Sequence, residues 1–308
     1  MSADFAKSTL FSAMATIATI GGGFLTTVIV ARLLGPEAVG ILAYAAFVVT
    51  LAIAFLDMGV PGTLMRFLPE LEAEGRGDDA KALIRALFIP YALVSVIFAA
   101  ALFLLLDPQS FGLSPTDDRA PVLIALIAGS VLAQSLANFY YGTLKGRRRF
   151  LFLASVAAGS ALIQLVVAVI GSLLFGLVGA LAAPLAGFLI GGILALRSVK
   201  ARRRVERDLR VRATTFAWRT WGTYFLTTVA WSRMEIYFLK LGWGDHSAGL
   251  FAAGLNLANL SLQLPMLLTG ALIPFLVLKS KSDGHEGFAR SYTGSRSEER
   301  RVGKECRS

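Results

Sequence analysis

Seven ionisable side chains stand inside or at the rims of long apolar stretches: Arg32, Asp57, Arg66, Arg219, Arg233, Glu235 and Lys240. A charge in hydrocarbon costs about 2.5–3.5 kcal/mol even on a lenient insertion scale, so each needs a partner, a route to water or a task. Arg233 is the first candidate for holding an anionic group, because a guanidinium keeps its charge and its forked donors match phosphate oxygens. Glu235, two residues further on one helix, cannot share that face. A buried carboxylate titrates readily, which suits Glu235 to coupling with a proton or cation. For both residues a structural ion pair with another span is the plain alternative. Asp57 lies 18 residues beyond Val39, about 27 Å along an ideal helix. Arg66 then reaches the interface, where its stem can simply snorkel. Between them, Gly59, Pro61 and Gly62 make a Gly-Val-Pro-Gly break that frees backbone carbonyls and permits a bend, tolerated in a membrane where the segment lines a cavity or packs on a neighbour. That break reads as a gating hinge, with a static kink as the alternative.

The elements that carry these residues are apolar helices. A mean hydropathy of +0.66, 56% hydrophobic and 16% charged residues depart from soluble domains, where roughly a quarter of residues are charged. The chain is therefore an all-α, multi-pass membrane protein. Eight spans can be drawn: Thr9 to Leu33, Val39 to Phe67, Ala80 to Leu106, Pro121 to Leu144, Phe150 to Phe175, Leu177 to Leu196, Thr214 to Leu241 and Ser247 to Val277. Each is long enough to cross a hydrocarbon core. The links alternate in charge: Lys7, Arg76 with Lys81 and Arg85, Lys145 with Arg147 to Arg149, the run Arg197 to Arg212, and Lys279 with Lys281 fall on one side. By the positive-inside rule that side, with the amino terminus, is cytoplasmic. The basic turns at Arg149 and Ala201 also suit anionic lipid headgroups. Charge placed by topology in this way gives no reason to expect nucleic acid as a partner.

The final stretch, 296–308 (RSEERRVGKECRS), resembles the in-frame translation of a sequencing adapter and is set aside as an artefact. Without its five bases and three acids the net charge falls from +10 to +8, and Cys306 carries no redox information. Residues 1–196 are expected to form one six-helix bundle, 197–213 a basic cytoplasmic linker, and 214–295 the first two helices of a second bundle, cut short. A repeat supports the division. A shift of 209 residues lays Gly35-Pro-Glu-Ala-Val-Gly40 on Gly244-Asp-His-Ser-Ala-Gly249, then Ala43 on Ala252, Leu51 on Leu260 and Gly75 on Gly284. Both copies begin on the same side, so the repeat is parallel, as in transporters whose halves are related by an axis along the membrane normal.

Other chemistries find little footing. No Walker A sequence is present for ATP-driven transport, and His246 and His285 are isolated, outside any metal-ligand spacing. The longest outward loop, Asp107 to Ala120, is too short for a catalytic domain. Gln134, Asn138, Gln164, Asn256, Asn259 and Gln263 are interhelical hydrogen-bonding groups before they are ligands.

The stretches ARLLGPEAVGILAY, FLDMGVPGTLMRFLPE, YGTLKGRRRF and WSRMEIYFLKLGWGDHSAGLFAAGLNLANL resemble the polysaccharide (O-antigen type) flippases of the multidrug/oligosaccharidyl-lipid/polysaccharide exporter superfamily. The likeness covers residues 5 to 290 and implies a MATE-like two-bundle fold, of which about eight of twelve to fourteen helices are present. It implies flipping of undecaprenyl-pyrophosphate-linked oligosaccharide from the cytoplasmic to the periplasmic leaflet of a bacterial inner membrane by alternating access, without enzymatic chemistry or a bound cofactor, driven by Na+ or H+ coupling. Arg32, Arg66 and Arg233 become candidates for the pyrophosphate cavity, and Asp57, Glu235 and the Gly59, Pro61 and Gly62 break candidates for coupling or gating. The implied partners are the lipid-linked glycan and membrane lipids, with a glycan polymerase and chain-length proteins alongside. Two rivals remain: a drug or cation antiporter of the same fold, which would want an acidic cavity, and a membrane-embedded glycan polymerase.

Overall fold

The computed structural model describes residues 3–111, 119–199, 205–231, 235–255 and 257–258. Among them there are helices and no strand. The order is α1 (Ala3–Leu56), α2 (Val60–Ala73), α3 (Gly77–Leu105), a 3-10 turn (Pro108–Phe111), α4 (Ala120–Gly146), α5 (Phe150–Phe175), α6 (Leu177–Ser198), α7 (Arg207–Trp231) and a further helical stretch, α8, over residues 235–255. Helix α1 is two arms joined at Gly35, whose φ of 84° and ψ of 174° are open to glycine alone. Pro36 starts the second arm, where a missing N–H does no harm.

Among the described residues, five helices are long and apolar enough to cross a membrane: Val28–Leu56, Gly77–Leu105, Ala120–Gly146, Phe150–Phe175 and Leu177–Ser198. The fourth coincides end to end with the span expected from sequence, and the second, third and fifth agree within a few residues. The first, Val28–Leu56, instead straddles the first two expected spans, and most of the eighth expected span lies outside the described residues. The second expected span does not run unbroken to Phe67. It stops at Leu56 and resumes at Val60, because Met58 (φ 46°) and Gly59 (φ 65°) are both left-handed. Pro61 is not the breaker: it sits in the first turn of α2, where proline is welcome. The seventh expected span starts earlier than drawn, at Arg207, so part of the expected 197–213 linker is helical.

Helix α2 wedges between α3 and α4. Leu64, Phe67, Leu68 and Leu71 meet Leu83, Ile84, Leu87 and Tyr91 of α3 and Phe139 and Leu144 of α4. Phe88 packs edge-on to Phe139 at 5.0 Å, and the Tyr91 hydroxyl donates to the Ser135 carbonyl at 3.0 Å. Lipid tails are as apolar as leucine, so close packing and such interhelical bonds hold these helices together. Helix α5 instead leaves Leu162, Val166, Ile170 and Leu173 exposed, a spacing that puts them on one lipid-facing stripe.

Two ends of the molecule can be told apart. At the turn end lie Gly35, Phe111, Ala120 and Gly176; at the basic end lie Arg76, Arg147 and the start of α7.

Candidate functional site

The repeat seen in the sequence recurs as geometry. Helix α8 bends at Gly244 (φ 79°), as α1 bends at Gly35 (φ 84°), and the two bends face each other. A Cβ added to Gly40 would collide with the Asp245 carbonyl and lie 3.2 Å from the Gly249 nitrogen. A Cβ added to Gly249 would collide with the Pro36 carbonyl and lie 2.9 Å from the Gly40 nitrogen. Pro36 is the repeat mate of Asp245 and Gly40 of Gly249, so the contact is reciprocal, as across a two-fold axis. Ala43 and its mate Ala252 join one buried cluster with Ile236 and Ala248. The mates Leu260 and Gly284 lie outside the described residues.

Around this symmetric contact the side chains are asymmetric. Lys240 of α8 sits 4.3 Å from the Tyr44 ring centroid and 5.7 Å from that of Phe111, and its Nζ is 2.7 Å from Asp245 Oδ1. Neither atom completes a well-angled hydrogen bond, so charge rather than directionality holds the pair. The repeat mates of Lys240 and Asp245 are Ala31 and Pro36, so this clamp occurs once.

At the basic end α7 lies against the break between α1 and α2. Asp57 shapes that break locally: its Oδ1 accepts the Gly59 N–H at 3.0 Å and its carbonyl accepts the Val60 N–H at 3.0 Å. A Cβ on Gly59 would collide with the Ala217 carbonyl, and one on Gly62 would meet the Thr220 methyl at 3.1 Å. The Gly59 and Gly62 pair thus admits a second helix at close range, whatever else it does. Arg66 is exposed on α2 with its guanidinium 4.5 Å over the Phe216 ring and 5.5 Å over that of Phe67. Arg212 approaches Phe67 from the other helix at 5.8 Å and pairs with Glu70 at 3.1 Å. Arg76 bridges Asp79, Glu74 and, from the start of α7, Glu206 at 3.1 Å. Hydrogen bonds to Asp79 and then Glu74 raise the pKa of the Arg76 guanidinium above its ordinary value.

Arg32 is exposed near the end of the first arm of α1. The whole second arm, 36–56, separates it from Arg66, about 30 Å at helical rise. The two arginines are therefore not brought together in one site. Arg233 lies outside the described residues; Glu235 is exposed at the start of α8. No group of three or more His, Cys, Asp or Glu that could hold a metal ion occurs among the described residues. Sequence reasoning missed Trp221, Phe216, Tyr44 and Phe111, whose partners lie far off in sequence or are backbone atoms.

The family model for polysaccharide biosynthesis protein matches residues 5–278. The chain belongs to that family. Solved structures agree in fold. An inward-facing multidrug resistance MATE family transporter of the MOP superfamily superposes with a TM-score of 0.63 at 13% identity, covering 92% of this chain and 69% of that one. Its outward-facing counterpart gives 0.60 at 16%, covering 94% and 67%. A MOP superfamily transporter from Pyrococcus furiosus, described as having a binding pocket of reversed polarity, gives 0.61 at 14%, covering 94% and 67%. No curated protein sequence matches the chain. This member of the polysaccharide biosynthesis family is thus a multi-pass membrane protein with the fold of MATE transporters, spanning about two thirds of their length.

Proposed function

We propose that this protein is a secondary transporter, not an enzyme, that flips a lipid-linked oligosaccharide of the undecaprenyl-pyrophosphate type from the cytoplasmic to the periplasmic leaflet of a bacterial inner membrane. The observation that carries the reading is the reciprocal contact of the Gly40 and Gly249 turns, in a chain of the polysaccharide biosynthesis family. Two parallel, repeat-related halves that touch on an axis at one end can rock to open at the other. In this reading residues 1–196 are one bundle, residues 214–295 begin the second, and the basic end with the amino terminus faces the cytoplasm. Arg66, exposed beside the seam between the halves, would meet the pyrophosphate on entry; Arg233 would bind the same group, and Arg32 would meet it near the turn end. Asp57 and Glu235 would be coupling groups for Na+ or H+.

The test uses a strain lacking its own flippase and complemented with the full-length protein. Replacing Arg66→Ala and Arg233→Ala together should lower surface glycan at least tenfold at unchanged protein level. Undiminished export would remove these arginines from the site. A cationic dye antiporter is the second reading, supported by the multidrug transporters among the structural neighbours. Proton-driven dye efflux without glycan export would favour it.

A further inference from the structure

The break between α1 and α2 leaves two carbonyls without their helical donors. In an unbroken helix the Ala54 and Phe55 carbonyls would accept from the N–H groups of Met58 and Gly59. Gly59 gives its N–H to Asp57 Oδ1 instead. Both carbonyls are taken by one side chain from the far half of the molecule. The Trp221 indole N–H donates to the Ala54 carbonyl at 3.2 Å and to the Phe55 carbonyl at 3.1 Å. Its ring stacks on Phe225 at 5.4 Å and meets Phe55 edge-on at 6.1 Å. Ala217, one turn earlier, and Thr220, the residue before, sit against Gly59 and Gly62. Residues 217, 220 and 221 form a single face of α7, and that face fits the break.

We infer that Trp221 is a positioning residue for transport: its indole N–H ties the angle between the outer arm of α1 and α2 to the place of α7, so movement of the second half is transmitted to the broken span. This rests on the transport reading for its purpose, though not for its geometry. Where water is scarce a freed carbonyl is costly to leave unmade. As long as α7 is docked, Trp221 satisfies both carbonyls and one inter-arm angle is selected. Once α7 withdraws, the break must find other donors, and the angle is released. Both bonds come from one N–H, so they are lost together.

The test separates the indole donor from the indole ring. Nitroxide labels at Thr50→Cys on α1 and Met65→Cys on α2, both exposed, report the inter-arm distance in full-length protein in nanodiscs. Trp221→Phe keeps an aromatic ring and removes the donor; Trp221→Gln restores an N–H without the ring. Wild type should give one narrow distance distribution. Trp221→Phe should broaden or split it with little change in thermal unfolding, and glycan transport should fall about tenfold. Trp221→Gln should recover part of the narrow distribution. An unchanged distribution in Trp221→Phe, or a broad one in Trp221→Gln equal to that of Trp221→Phe, overturns the proposal. Since the distance is read without substrate, absence of glycan transport in wild type would count against the transport reading alone.

Discussion

The repeat-related turns of α1 and α8 touch at one end of this molecule, and α2 and α7 touch at the other, by opposite means. At the turn end the contact is backbone on backbone, Gly40 against Asp245 and Gly249 against Pro36. The charged pair beside it lies within α8 and is shielded, with side chains 13% and 24% exposed for Lys240 and Asp245; what crosses the seam there is the Lys240 cation, 4.3 Å from the Tyr44 ring centroid. At the basic end the ion pairs lie in the open, Arg212 with Glu70 at 52% and 40% and Arg76 with Glu206 at 39% and 66%. Exposed pairs contribute about 0–1 kcal/mol and are screened by salt. Breaking a shielded pair from one side strands a charge, at about 3 kcal/mol or more. The turn end is built to close in one way, whereas the basic end is built to slide and part cheaply. Such an unequal pair of seams is what a rocking transporter needs if opening at the entry side is to be easy.

The largest expected effect comes from the glycine contact. Gly249→Val puts a branched side chain where the Pro36 carbonyl stands, so the turn end cannot close, and transport should be lost. Nitroxides at Glu37→Cys and His246→Cys, both exposed, should then show only a long distance. A short distance retained in Gly249→Val would break the comparison at its base. The clamp comes next. Lys240→Met and Asp245→Asn should each destabilise the folded protein by about 3 kcal/mol, and the double replacement by clearly less than their sum. Additive losses in thermal unfolding would mean that Lys240 acts through its aromatic seat alone. The smallest effect belongs to the basic end. Glu70→Gln should cost no more than about 1 kcal/mol, and the difference from wild type should vanish in high salt. A salt-independent loss would make the two seams alike.

Class, the four spans between Gly77 and Ser198 and the glycine turns of the repeat were legible because they rest on composition and on glycines that punctuate long apolar runs. Gly35 and Gly244 announce themselves as turn residues at a fixed offset, and the structure gives both a left-handed φ. The position of the break was less legible. Pro61 looks like the disruptor in a string of letters, yet a proline in a first helical turn disrupts nothing, and the left-handed pair Met58 and Gly59 carries no signature beyond a single glycine. Asp57 drew notice as an intramembrane acid, and locally it turns out to anchor the Gly59 N–H. Trp221 and Lys240 show why the contacts escaped. An indole whose partners are main-chain carbonyls about 170 residues away looks in sequence like any membrane tryptophan. Lys240 stood out by charge, but the rings that seat it come from α1 and the turn after α3, and only packing joins them. Arg32 and Arg66 are separated by a full helical arm, and a charge in an apolar run says nothing about which other charge it will meet.

The most direct test of the account follows the Glu37→Cys and His246→Cys label pair in the otherwise unaltered full-length protein. With purified undecaprenyl-pyrophosphate-linked oligosaccharide added to nanodiscs, a short and a long distance are expected whose ratio shifts with substrate, as the turn end opens for release. A single short distance that no concentration of substrate alters would contradict it.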